Sequence, residues 1–280
     1  MGAQGRIHTI IVLILLALLT PMSLVAQSAK EIEADTLLAQ QDYAGALSLY
    51  NKIIEKSKPK TAEEYQLYHK RAVCYYGLEN FQEALVDINR VIEKFPSPQS
   101  KLVRAYIYQE LEDYDAQLSD LNELVSMNPG SPELLQWRAS VLMEAGKYEE
   151  AQKDIRTLLQ YQSGPQLKSY LGLTYYYLDK PDSALLLFDE VIAEAPDYTQ
   201  VYLYASSLCL DQDAYELSLT YINKALALDP DNLSLLFYKG IALVETGEEK
   251  EGCRCLNKAF EAGLDDVADY LKQYCYSNQQ

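Results

Sequence analysis

The chain is nearly without histidine. His8 and His69 are the only two in 280 residues. That scarcity removes the usual proton shuttle near neutral pH and the commonest metal ligand. No Cys/His metal spacing, glycine-rich phosphate loop, Walker motif or nucleophile elbow is present. The many carboxylates are dispersed along helix faces and turns, the pattern of a solvated surface rather than of an acid–base pair. His69, alone, reads as a surface or rim residue. No enzyme activity and no cofactor are expected. Bases are also short, 24 Lys and Arg against 41 Asp and Glu, for a net charge of −17. Phosphate binding needs a clustered excess of Lys and Arg, so nucleic acid is excluded as a partner. Glycine (12) and proline (10) are sparse and scattered, so no flexible linker divides the chain.

One long apolar run exists, Ile10 to Leu19. Arg6 and His8 precede it, and Pro21, Ser23 and Leu24-Val25-Ala26 follow. Residues 1–26 therefore read as a secretory signal peptide, because the run is short for a bilayer span. Cleavage falls best after Ala26. Leu24 stands where a smaller residue is usual, so retention as an N-terminal anchor is the other reading. No cysteine follows the run, which argues against a lipoprotein signal. Removal of the segment leaves 23 bases against 41 acids.

Tyrosine is abundant, 24 residues against five Phe and one Trp, which suits half-buried helix seams and binding surfaces alike. The dominant pattern is a repeat. Asp42-Tyr43-Ala44-Gly45-Ala46, Asn80-Phe81-Gln82-Glu83-Ala84, Asp113-Tyr114-Asp115-Ala116-Gln117, Lys147-Tyr148-Glu149-Glu150-Ala151 and Lys180-Pro181-Asp182-Ser183-Ala184 are successive copies, with weaker ones ending at Ser218 and Gly252. Their last residues, the anchors, are spaced 38, 33, 34, 33, 34 and 34 apart. A period held that closely means stacked supersecondary units. Four residues after each anchor comes a bulky partner on the same helix face: Tyr50, Ile88, Leu121, Ile155, Phe188, Ile222 and Leu256. Twelve residues before each lies a small one: Ala34, Ala72, Ala105, Ala139, Gly172, Ser206 and Gly240. Small residues allow two helices of a hairpin to cross closely. Pro96, Pro129, Pro196 and Pro230 lie twelve residues after their anchors, with Pro59 one later, where each ends the second helix.

This pattern resembles the tetratricopeptide repeat. Ala72, Tyr75, Phe81, Ala84 and Pro96 match its motif in repeat two, and Gly172, Tyr175, Ala184, Phe188 and Pro196 match it in repeat five. The resemblance implies an all-α, right-handed α-solenoid of about seven helix-turn-helix repeats with a C-terminal capping helix. The boundaries are approximately 27–60, 61–97, 98–131, 132–164, 165–198, 199–232 and 233–263, then a cap and tail over 264–280, with the capping helix near Leu264 to Tyr276. The departures are Gln117, Ser218 and Gly252 at the anchor, and Pro181 and Glu249 at the turn aromatic. Extra residues around Ser57 to Thr61 lengthen the first connection.

Five cysteines stand in a chain expected to meet an oxidising compartment. Cys74 and Cys209 sit on helix faces that should pack inside. Cys253 and Cys255, two apart, point in different directions. The closing segment Gly252-Cys253, Lys258-Ala259, Gly263 and Tyr274-Cys275 is similar to that of exported bacterial repeat proteins. That likeness implies a Cys253–Cys275 disulfide, with Cys255 as the fallback partner and separate buried thiols as the other reading.

In this family ligands usually lie along the concave face lined by the first helix of each pair. The matching positions include Gln99, Tyr106 and Gln109; Gln136, Ser140 and Met143; Gln166, Leu173, Tyr176 and Tyr177; Gln200, Leu203 and Leu210; and Phe237 and Ile241. The lining is polar-uncharged and aromatic. The clamp that cochaperone members use for a terminal carboxylate is not matched, since Glu31, Asp35, His69 and Val73 stand there. Trp137, Tyr170, Tyr204 and Tyr238, at 33- and 34-residue intervals, form a row expected to stack as a ladder. The row either fills the seam between repeats or offers a platform for a peptide or glycan. The resulting expectation is a non-enzymatic scaffold or adaptor, in the periplasm of a Gram-negative bacterium, that binds another protein or peptide of the envelope. The alternative is a glycan- or peptide-binding accessory protein.

Overall fold

The computed structural model describes residues 29–57 and 59–276, so the signal reading of residues 1–26 lies outside the described residues. The chain divides into two compact units, one ending at Ala145 and the other beginning at Gly146. The first carries α1 (Ala29–Ala39), α2 (Tyr43–Ser57), α3 (Ala62–Gly77), α4 (Phe81–Lys94), α5 (Pro98–Glu110), α6 (Tyr114–Met127) and α7 (Pro132–Glu144). The second carries α8 (Tyr148–Leu158), α9 (Pro165–Tyr177), α10 (Pro181–Glu194), α11 (Thr199–Asp211), α12 (Tyr215–Leu228), α13 (Leu233–Glu245) and α14 (Glu249–Glu261), followed by a short terminal segment. The division falls inside the fourth repeat, between α7 and α8. No strand occurs among the described residues.

Helix ends follow local chemistry. Thr61 and Glu64 cap α3 reciprocally: the Glu64 N–H donates to Thr61 Oγ1 at 3.3 Å and the Thr61 N–H donates to Glu64 Oε2 at 3.0 Å. Ser97 and Ser131 cap α5 and α7, each with a proline at the first helical position, where the missing N–H costs nothing. The helices α4, α6, α10 and α12 stop two residues before Pro96, Pro129, Pro196 and Pro230. The proline ring disfavours helical backbone in the residue before it.

Each turn between the paired helices contains one residue in the left-handed region: Gln41 (φ 62°), Glu79 (61°), Glu112 (55°), Gly146 (70°), Asp179 (56°), Asp213 (55°) and Gly247 (88°). Every one lies five residues before its anchor. The periodicity of the sequence is thus also a periodicity of backbone conformation.

All seven anchors are buried, and so are their seven bulky partners. In two repeats of the second unit the small residue of the first helix is seen to meet the bulky partner of the second. A methyl group on Gly172 would come within 2.4 Å of the Phe188 ring, and one on Gly240 within 2.6 Å of Leu256. Gly252 is small for the same reason, since a methyl there would lie 2.8 Å from the Gly240 carbonyl oxygen. Ser218 is accommodated differently: its Oγ donates to the Ser206 carbonyl at 3.0 Å.

The expected single capping helix is instead a composite. Asp265–Val267 is a 3-10 turn, Ala268–Tyr270 one α turn, and Leu271–Cys275 a stretch of π-helix. Val267 and Leu271 are buried with Leu236, Leu256 and Ala259, so the apolar face closes the last pair as a cap should. The wider π-turn carries Cys275 and Tyr276 to α14. There Cys275 is bonded to Cys253, with a Cα–Cα distance of 5.7 Å, and the Tyr276 hydroxyl donates to Asn257 Oδ1 at 2.9 Å.

Candidate interaction face

In the first unit, α5 and α7 present the residues singled out above. The Tyr106 and Trp137 rings stack with centroids 4.3 Å apart. Trp137 Nε1 donates to Gln109 Oε1 at 3.0 Å, and Gln117 Nε2 approaches the same oxygen at 3.5 Å. Gln136 is exposed, Met143 is half-buried, and the Ser140 hydroxyl donates to the Trp137 carbonyl at 2.8 Å. Gln117, whose position in the other repeats holds a small side chain, is fully buried, and its Oε1 has no hydrogen-bond partner. In the sequence Gln117 stands out only as a departure from the motif.

His69 corrects the surface reading: it is 2% exposed on α3, with Nδ1 3.4 Å from Ser100 Oγ and Nε2 unpartnered. Its face of α3 packs toward the start of α5. Burial, reinforced by the neighbouring Lys70 charge, lowers its pKa to about 4, so it is neutral in the folded protein at pH 7. Val73 is fully buried too. The acids at the other clamp-equivalent positions are engaged internally. Lys70 Nζ lies 3.2 Å from Glu31 and 2.9 Å from Asp35, and the Tyr50 hydroxyl donates to Asp35 at 2.5 Å. This end is built as an ion-paired seam rather than an open clamp.

In the second unit the face is aromatic. Tyr177 is 51% exposed and stacks on Tyr148 at 4.6 Å, with Tyr176 5.1 Å away. The Tyr176 hydroxyl donates to Asp211, whose own pKa is raised by burial. Gln166 Nε2 donates to the Tyr170 hydroxyl at 3.1 Å. The expected ring-on-ring ladder does not form within this unit. Tyr204 pairs with Phe188 at 6.1 Å, and Tyr238 with Phe237 at 5.8 Å, rather than with each other or with Tyr170. Tyr204 and Tyr238 both pack against the core cluster that contains Phe188, Val201 and Ile222. Phe237 also meets Tyr270 of the cap edge-on at 5.0 Å. Tyr148 and Asp211 were missed from sequence, because each contributes through a partner some 30 residues away.

Spacing could have revealed another feature of the first unit. Arg71 forks onto Asp87 (2.6 and 2.8 Å) and donates to Asn51 (2.8 Å). Arg104 forks onto Asp120 (2.7 and 2.6 Å) and donates to Asn89 (2.8 Å). Arg138 Nη1 donates to Asn122 at 3.0 Å. Each arginine precedes the small residue of its first helix.

Burial pushes the Cys74 thiol up to about 12 and that of Cys209 to about 11, and it raises Cys255 as well. Thiols held protonated in this way are poor nucleophiles and metal ligands. Among the described residues no group of three or more His, Cys, Asp and Glu is placed to hold a metal ion, and no helix is long and apolar enough to cross a membrane.

The sequence matches the tetratricopeptide repeat over residues 32–97, 137–198 and 170–232, and a second version of the same repeat over 98–131. No curated protein sequence matches it. Its fold is similar to that of a tetratricopeptide repeat protein from Parabacteroides merdae, at 18% identity and a TM-score of 0.62, covering 87% of this chain and 96% of that one. The C-terminal part of a TPR repeat-containing protein from Cytophaga hutchinsonii is similar at 18% identity and a TM-score of 0.62, covering 85% and 98%. MamA from Desulfovibrio magneticus is more distant, at 13% identity and a TM-score of 0.51, covering 60% and 96%. With the matched repeats spanning most of the described helices, the chain belongs to the tetratricopeptide repeat family.

Proposed function

We propose that this protein is a non-enzymatic scaffold of the cell envelope, exported to the periplasm, that binds a partner protein or peptide along the face of its first helices. The observation that carries the reading is the aromatic surface of the second unit, where Tyr177 is 51% exposed and Tyr170, Leu173 and Tyr176 are only partly covered. Rings with polar tips combine large contact area with low entropy cost, the composition enriched at protein interfaces. The polar groups of this face bond to one another instead of converging on a reacting atom. Raised pKa values at Cys74 and Cys209 and a neutral, buried His69 make these three groups poor nucleophiles or bases at pH 7.

The test is crosslinked capture of the tagged mature protein from its own envelope, beside a Tyr170→Ala/Tyr177→Ala variant checked for helicity. A stoichiometric protein lost in the variant is expected. Recovery of a glycan, or of the same protein with the variant, overturns the reading. Export is tested separately, by terminal sequencing of the protein from a periplasmic fraction: Gln27 is the expected first residue.

A further inference from the structure

We propose that Gln117, with Gln109 and Trp137, forms a recognition site for a primary carboxamide, the side chain of an Asn or Gln in an extended partner segment. The proposal rests on reading the first-helix face as a partner-binding surface, and it supplies a chemistry for the first unit.

The hydrogen bonds identify the atoms. An indole N–H can only donate, so the Gln109 atom 3.0 Å from Trp137 Nε1 is its oxygen. Placing the Gln117 nitrogen, rather than its oxygen, 3.5 Å from that acceptor avoids an oxygen–oxygen approach. This leaves Gln117 Oε1 as the free end of the chain of bonds, buried and met by no donor. Leaving a buried acceptor unpaired is unfavourable, and folding does not require it here. The same anchor position is Ala46, Ala84, Ala151 and Ala184 in four repeats, Ser218 in a fifth and Gly252 in a sixth. A carboxamide stands at this one crossing alone, linked through Gln109 to the indole of the stacked Tyr106–Trp137 pair.

Gln109 occupies the site in the free protein, offering one oxygen to both donors. A ligand carboxamide that displaces it places its oxygen on Trp137 Nε1–H and Gln117 Nε2–H, and its own N–H on Gln117 Oε1. All three groups of the site are then satisfied. The geometry selects the ligand, because the N–H must lie on the same side of the C–N bond as the oxygen. A primary amide has such an N–H. A trans peptide bond has its N–H on the opposite side, a carboxylate has none, and a thioether has neither group.

Trp137 is the only tryptophan of the chain, so its indole N–H resonance and its fluorescence report this site alone. The full mature chain is titrated with the pentapeptide Ala-Ala-Gln-Ala-Ala, blocked by acetyl and N-methylamide groups so that no second primary amide is present. The same peptide with Glu or Met at the centre serves as the comparison. A saturable shift of the Trp137 signal is expected with Gln, and binding at least tenfold weaker with Glu and Met. Gln117→Ala restores the residue the fold uses elsewhere and should abolish the preference while leaving helicity unchanged. Gln109→Ala removes the internal occupant and should strengthen binding of the Gln peptide. No saturable shift, equal response to the three peptides, or a preference that survives Gln117→Ala overturns the proposal. Capture of a partner through the second unit's tyrosines with Trp137 unmoved would leave the scaffold reading standing and remove this one.

Discussion

The two units lock the same repeat in different ways. Where the first unit has Arg71 on Asp87 and Arg104 on Asp120, the second has Leu171 with Leu187 and Ala205 with Tyr221 at the equivalent positions. Asp87 and Asp120 are almost wholly buried, so their charges depend on the guanidinium forks. At one of these positions the second unit is apolar: Ala205 and Tyr221 are buried in one core cluster, and the Tyr221 hydroxyl donates to Asp189 at 2.7 Å. Removing one partner of a buried pair strands the other, whereas replacing both with apolar groups of similar volume is often near neutral. Arg104→Ala should therefore cost about 3–5 kcal/mol in urea unfolding. Arg104→Leu combined with Asp120→Leu, the residue types found at 171 and 187, should recover most of that loss. A double variant as unstable as the single one would show that the two solutions are not interchangeable.

Response to pH should separate the units as well. His69 is the only histidine among the described residues, and it lies in the first unit. With its folded pKa lowered to about 4 from 6.5, the unfolded chain binds the proton more readily throughout that window. The stability gained by keeping His69 neutral is complete above about pH 6.5 and is lost as pH falls toward 4, a change of about 3 kcal/mol. Denaturant curves at pH 7 and pH 4 should show this difference between the wild type and His69→Leu, whose remaining pH dependence is that of the carboxylates. The second unit has a redox counterpart. Cys253 and Cys275 are 22 residues apart, and opening that loop should cost about 3 kcal/mol on the chain-entropy account. Reductant should lower the melting temperature of the wild type and leave Cys253→Ser/Cys275→Ser unaffected, while Cys255 stays a buried thiol in both.

What was legible in the sequence was what repeats. Anchor, bulky partner, small residue and proline each recur at a fixed offset, so the helix pairs and their inner faces follow from spacing. The cap was legible as a cap but not as a composite of 3-10, α and π turns, because its path is decided by what Cys275 and Tyr276 reach on α14. His69 could not be placed as buried from its own residue type, since its burial depends on the face of α3 that Ser100 covers. The arginine forks were readable in principle, at a constant sixteen residues from Arg71 to Asp87 and from Arg104 to Asp120. The row of Trp137, Tyr170, Tyr204 and Tyr238 was legible as a row, but ring partners depend on rotamers. Phe188 and Phe237 took Tyr204 and Tyr238. The orphaned oxygen of Gln117 lies furthest from sequence, since it follows from two side-chain amides and one indole meeting in space.

The finest contrast lies in the turns. All three turns of the first unit place a non-glycine residue in the left-handed region: Gln41, Glu79 and Glu112. The second unit uses Gly146 and Gly247 alongside Asp179 and Asp213. The conformation recurs in every pair, yet only glycine adopts it without steric cost, and this is why the series is invisible to a reader looking for glycines. Glu112→Gly should stabilise the first unit by up to about 1 kcal/mol, the relief of left-handed strain offset in part by the greater freedom of glycine in the unfolded chain. Gly146→Ala should destabilise by about 1 kcal/mol or more, because no compensating contact surrounds that position beyond the Tyr148 hydroxyl at 4.0 Å. Differential scanning calorimetry of the two variants should give shifts of opposite sign. Shifts of the same sign would mean that the side chains of Gln41, Glu79 and Glu112 contribute more to their turns than backbone strain takes away.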